Sequence, residues 1–266
     1  MKPNYKLTKF TCFFLYPALA PTFILPPILF VIFRQMYGIS YTLLGTLVFV
    51  NFGVQLAVDL FFSLCKTKFD YKPLQRGTPL LATAGLLIYG LVPTLLPQYA
   101  YAGLILGTVL FSIASGLNEV FLSPTLVAIS EGNSEKDMSI MHSLYGYGCA
   151  AVALLSTVFL YVFGTESWLY LVLFWAVMPL IAFILFCFSP LPDIVTSEPT
   201  SQRSAKQKRI GLALCMVCIF LGSAAENTMT NWISSFMENA LMIPKAVGDI
   251  AGLAVFALLL AAQNRK

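Results

Sequence analysis

The sequence predicts an all-α integral membrane bundle of about eight spanning helices, and three observations carry that prediction. Apolar residues make up 58% of the 266 residues and charged ones only 11%, with a mean hydropathy of +0.81. A water-soluble domain needs more charge than this to cover its surface. The apolar residues fall in long unbroken runs, most near the ~20 residues that a helix needs to cross a bilayer. Lysine and arginine, finally, alternate between the connecting segments as they do in spanning proteins. A β-barrel would show short alternating segments instead.

In chain order the runs cover 10–33, 41–64, 78–96, 101–129, 139–163, 168–189, 210–236 and 246–262. The first contains Pro17, Pro21, Pro26 and Pro27. It is too long for the apolar core of a removable signal peptide and a second span follows at once. It therefore reads as a kinked spanning helix whose freed carbonyls find other partners. The connections after the first, third and fifth runs are short, so the helices they join form antiparallel hairpins. Segment 190–209 is rich in Ser, Thr, Pro, Gln and basic residues and reads as a linker. It divides the chain into a six-helix bundle (1–189), a cytoplasmic linker (190–209) and the first two helices of an incomplete second bundle (210–266). A faint echo between Ile39-Ser40 with Gly45 and Ile243-Pro244 with Gly248 fits a six-plus-six plan.

Eight spans put both termini on one side. All of the 16 lysines and arginines except Arg34 and Lys245 then fall on that side, which makes it cytoplasmic. The basic loops are accounted for by topology alone, so no nucleic acid partner is expected. The six cysteines sit within or at the edge of the apolar runs and read as small packing residues. Cys215 and Cys218 form a C-x-x-C without a second pair, so neither a metal nor another cofactor is expected.

Polar side chains at bilayer depth are costly and mark bundle interiors or watery cavities. Asn51, Gln55 and Asp59 recur every four residues and share one helix face, with Asp59 nearer the cytoplasmic end and placed for a gate. Ser115, Glu119 and Ser123 form a second such stripe, with Asn118 beside it. Glu119 lies ~15 Å deep by helical rise and is the proton-carrier candidate; a neutral structural carboxyl is the bland alternative. His142, the single histidine, opens the fifth span and could pair with Glu119 or merely cap. In the seventh run Ser223, Glu226 and Thr230 share a face, with Asn227, Asn231 and Trp232 adjoining. Amides and carboxylates beside an aromatic ring suit a hydroxylated ligand, although a Trp near an interface also serves as an anchor. Gly146, Gly148, Ala150 and Ala151 permit close helix approach in the fifth span. No nucleophile–base pair or carboxylate cluster accompanies these faces, so no catalytic residue and no enzyme are expected.

The segments GISYTLLGTLVFVNFGVQLAVDL at 38–60, GLNEVFLSP at 116–124, MSIMHSLYGYG at 138–148, AAENTMTNW at 224–232 and IPKAVGDIAG at 243–252, in that order and spacing, resemble the major facilitator superfamily, and within it bacterial sugar permeases of the fucose type. The resemblance covers nearly the whole chain. It implies a twelve-helix, two-bundle transporter of the bacterial inner membrane that works by alternating access. It also implies a solute site between the bundles, with proton coupling (symport) through a carboxylate. Glu119 matches the fourth-helix acidic position, Asn51, Gln55 and Asp59 the polar face of the second helix, and Glu226 with Asn227 the polar pair of the seventh. In the loop after the second helix, TKFDYK at 67–72 keeps Lys68 and Lys72 as gate candidates, while Thr67 and Asp70 depart from the family pattern. The chain also ends after the eighth helix, so a truncated form is expected. The partners that follow are a small-molecule solute and the lipid bilayer; the oligomeric state leaves no trace in the sequence. The competing readings are a membrane receptor or sensor and an inactive transporter fragment.

Overall fold

In the computed structural model, residues 4–64, 70–130, 132–193 and 205–250 are described. They form an all-α assembly: α1 (Lys6–Ala18), α2 (Ala20–Tyr37), α3 (Tyr41–Leu64), α4 (Tyr71–Leu95), α5 (Ala100–Ile129), α6 (Ser134–Phe163), α7 (Trp168–Phe188), α8 (Ala205–Ala240) and the short α9 (Lys245–Gly248). Six segments are long and apolar enough to cross a membrane, the first being α1 and α2 together as one run, Lys6–Tyr37. The seventh expected run lies on α8. Most of the eighth lies outside the described residues, as does most of the linker.

Proline chemistry explains the joint in the first run. Pro21 lacks an N–H and its ring crowds the carbonyl four residues back, so the helix breaks at Leu19. The Leu19 carbonyl is satisfied locally, by the Thr22 backbone N–H at 3.0 Å and the Thr22 hydroxyl at 2.7 Å. Helices α4, α6 and α8 start well before their apolar runs. Asp70 caps α4 by accepting from the Lys72 N–H at 3.1 Å, which satisfies one orphan donor of the first turn. The start of α6 at Ser134 is the more consequential difference. His142 does not open this helix but sits two turns inside it.

The loops gather at two ends. At one end, here the basic end, the Lys9 ammonium meets Asp137 at 2.5 Å, joining α1 to α6. There Lys72 pairs with Asp193 at 2.7 Å, and the Thr8 hydroxyl donates to the Pro190 carbonyl at 2.6 Å. At the other end, the hairpin end, Gly38 closes α2 in the left-handed region (φ +66°), where a side chain would be strained. The Tyr101 hydroxyl donates there to the Leu43 carbonyl at 3.1 Å.

The core is thickest towards the hairpin end. Phe33, Tyr89 and Trp168 are almost wholly buried, and Phe33 meets both rings edge-on at 5.6 and 5.1 Å, an arrangement that aromatic quadrupoles favour. The Trp175 indole N–H is satisfied by Ser156 at 2.9 Å. Helix α8 stands against this six-helix block mainly along α2. Its contact is concentrated late in the helix, where Asn231, Ser234 and Ser235 are buried, whereas the described side chains from Ile210 to Met229 are exposed.

Candidate functional site

The uneven seating of α8 leaves a cavity of about 770 Å³ between it and the six-helix block. Helix α3 contributes Phe52, Gln55 and Asp59; α5 contributes Ser115, Asn118 and Glu119. Tyr16 and Phe23 line it from the kinked first run, Tyr145 from α6, and Met216, Phe220 and Ala224 from α8. The period of the α-helix makes this possible: residues four apart on α3 and on α5 turn to one side, and the two stripes face the same space.

One close approach sets their relative height. Where α3 crosses α5, a Cβ added to Gly116 would lie 3.0 Å from Val58 Cβ and 3.4 Å from Gln55 Cα. Asp59 follows Val58 by one residue and Glu119 follows Gly116 by three. The crossing therefore brings the two carboxylates to neighbouring positions on the cavity wall. Asp59 is half-buried and Glu119 exposed, and neither forms a hydrogen bond or ion pair with a described residue. Asn118 is 6% exposed, and its Oδ1 has no hydrogen-bond partner.

Asn51 takes a different place from its stripe-mates. Its Oδ1 accepts from Gln55 Nε2 at 2.8 Å and from the Ser112 hydroxyl at 2.6 Å. With Asn231 it borders a separate void of only about 10 Å³, together with Phe30, Thr108 and Phe111, room for about one water. Past this level Trp232 packs on Phe30 at 5.7 Å and Tyr41 at 6.5 Å between ring centroids, and the Arg34 guanidinium stacks on Tyr41 at 4.2 Å. Trp232 thus ties α8 to α2 and α3. The cavity is roomy in the half nearer the basic end and narrows at Asn51 and Asn231 toward the hairpin end, where an apolar cleft of about 530 Å³ runs along α3 beside Trp232.

The remaining expected residues separate from this set. The His142 ring meets Tyr16 edge-on at 5.3 Å and makes no hydrogen bond or ion pair with Glu119, so that pairing is absent from this conformation. Lys72, expected at a gate, pairs with Asp193 just past the end of α7. Lys68 lies outside the described residues, and so do the side chains of Glu226 and Asn227, whose backbone belongs to α8.

Tyr16 and Tyr145, 5.1 Å apart between ring centroids, line the cavity, which polarity stripes did not reveal. An aromatic residue within an apolar run carries no signal of its own, and only tertiary packing puts it on a cavity wall. Ser112 escaped for a related reason, since a lone serine inside a helix commonly back-bonds to its own turn, as Ser112 also does to Thr108. No family model, curated protein or solved structure matches the chain.

Proposed function

We propose that this chain is an integral membrane protein that moves a small polar organic solute by alternating access, coupled to protons through Glu119. A single observation carries the reading. A cavity lined by amides, hydroxyls and carboxylates lies at bilayer depth between a six-helix block and α8, wide toward one end and narrowed toward the other, where Trp232 packs on Phe30 and Tyr41. Polar groups at such depth cost free energy unless water or a ligand reaches them, and a one-sided cavity between two helical units is what alternating access requires.

In this reading the basic end is cytoplasmic, as the distribution of lysine and arginine implies, and the membrane is the bacterial inner membrane. Gln55, Asn118 and the polar face of α8 from Glu226 and Asn227 to Asn231 lie on the solute path. Asn51 and Trp232 stand at its narrow end. Asp59, near the mouth, acts with the loop after α3 as a gate. Residues 210–266 supply helices of a second bundle. The resemblance to fucose-type permeases makes a sugar the first solute class to try.

The test is uptake by proteoliposomes holding the purified chain, with and without a proton gradient. Glu119→Gln is expected to abolish gradient-driven accumulation while exchange at equal, saturating concentrations persists. Uptake equal to that of protein-free vesicles, across a panel of neutral, cationic and anionic solutes, would remove the transport reading.

A further inference from the structure

We infer that the cavity selects a positively charged, hydrogen-bond-donating solute, a protonated amine carried on a small organic body; the inference rests on the transport reading above and deepens it. The polar inventory of the wall is lopsided. Asp59 and Glu119 bring two carboxylates to neighbouring positions, held there by the Gly116–Val58 crossing. Among the described lining residues no Lys, Arg or His answers them. Asn118 adds a further acceptor: the residue lines the same cavity, is more than nine-tenths buried, and its Oδ1 has no partner. An acceptor left unpaired in a protein interior costs more than a hydrogen bond returns, so the wall calls for donors.

A ligand that supplies donors together with positive charge meets both needs. A protonated amine carries three N–H donors and no lone pair, and charge-assisted bonds to carboxylates are the strongest of their kind. The rings of Tyr16, Tyr145 and Phe52 around the site add faces that attract cations and bury an apolar body. An anion would meet two like charges. A neutral polyol would bring two lone pairs for each hydroxyl proton and no charge to balance either carboxylate.

The experiment uses the whole purified chain in detergent micelles at pH 7, with phenethylammonium as probe and 2-phenylethanol, phenylacetate and glucose as comparators, measured by equilibrium dialysis. Wild-type protein is expected to bind the amine saturably and at least 10-fold more tightly than the alcohol of the same shape, with no saturable binding of phenylacetate. Asp59→Asn/Glu119→Gln should weaken amine binding at least 10-fold and leave the alcohol unchanged, in protein that stays monodisperse and helical. The wild-type ratio of amine to alcohol decides the matter even if the double variant does not fold. Equal binding of amine and alcohol overturns the inference, as does amine binding that the double variant keeps. Proteoliposome flux separates the two levels: glucose carried without competition from the amine overturns the cation while keeping transport. Absence of all flux removes transport, and dialysis still decides what the cavity binds.

Discussion

Gly85 and Gly107 meet backbone to backbone where α4 crosses α5: a Cβ on Gly85 would lie 2.9 Å from the Gly107 carbonyl oxygen, and one on Gly107 would lie 2.8 Å from the carbonyl oxygen of Gly85. Neither backbone can yield as a flexible side chain could. Because α5 also carries Asn118 and Glu119, the height of the cavity wall is set in part by this glycine contact.

Gly85→Ala and Gly107→Ala are therefore each expected to destabilise the protein by about 1–3 kcal/mol, the usual cost of overpacking. Gly53→Ala is the matched control, since nothing lies within 4 Å of a Cβ there. Within a helix it should be neutral or stabilise by up to about 1 kcal/mol. Thermal unfolding in detergent reads both; a Gly107→Ala variant as stable as wild type would refute the tight crossing.

The Asn51 carbonyl oxygen is a shared acceptor, and its loss should be felt twice. Asn51→Ala leaves Gln55 Nε2 without its acceptor at a buried site and leaves the Ser112 hydroxyl only the Thr108 carbonyl, at about 1–3 kcal/mol. Ser112→Ala removes one donor and should cost only about 0.5–1.5 kcal/mol. The order of the two unfolding midpoints checks the arrangement, and the reverse order would contradict it.

At the basic end, Asp137 is buried and receives both Lys9 and the Ser130 hydroxyl, at 2.5 and 2.6 Å. Lys9→Met strands that carboxylate. The cost should fall near 1–3 kcal/mol, below the ~3–5 kcal/mol of a fully buried pair, because the Lys9 side chain is 38% exposed. Asp137→Asn in the same chain removes the stranded charge. The double variant should accordingly be less destabilised than the sum of the singles, and strict additivity in the double-mutant cycle would rule out direct coupling.

Asp249 fastens the α8–α9 hairpin to the six-helix block. It is 1% exposed and accepts from Lys245 at 2.9 and 3.1 Å, from the Ser234 hydroxyl and, across to α6, from the Thr157 hydroxyl at 3.4 Å. Asp249→Ala should loosen this end. Hydrogen exchange of backbone amides over 231–249 is expected to rise markedly, while amides of α4 and α5 keep their protection. Thr157→Val, which removes only the longest contact, should give a smaller rise. Unchanged exchange in Asp249→Ala would show that the hairpin is held by other contacts.

What could be read in the sequence was what is additive along the chain. Apolar runs such as 168–189 mark a bilayer-length helix because transfer free energy sums residue by residue, and α7 spans Trp168–Phe188 accordingly. The i, i+4 spacing of Gln55 with Asp59 and of Ser115 with Glu119 likewise fixed which residues share a helix face, since 3.6 residues complete a turn. Helix starts were less legible: Ser134 and Asp70 begin or cap helices through polar backbone chemistry that lies outside the apolar runs.

The placement of one helix against another was decided only in three dimensions. Asp59 neighbours Glu119 because Gly116 lets α5 settle against Val58, and His142 faces Tyr16 because α1 packs against α6. Asn51 is turned from the wide cavity to a narrow void by its bonds to Gln55 and Ser112. Such pairings depend on which surfaces fit at close range, a property of two segments distant in sequence. The sequence by itself determined the apolar lengths and the polar faces; tertiary packing decided which faces meet, because van der Waals fit and hydrogen-bond pairing exist only between parts already brought together.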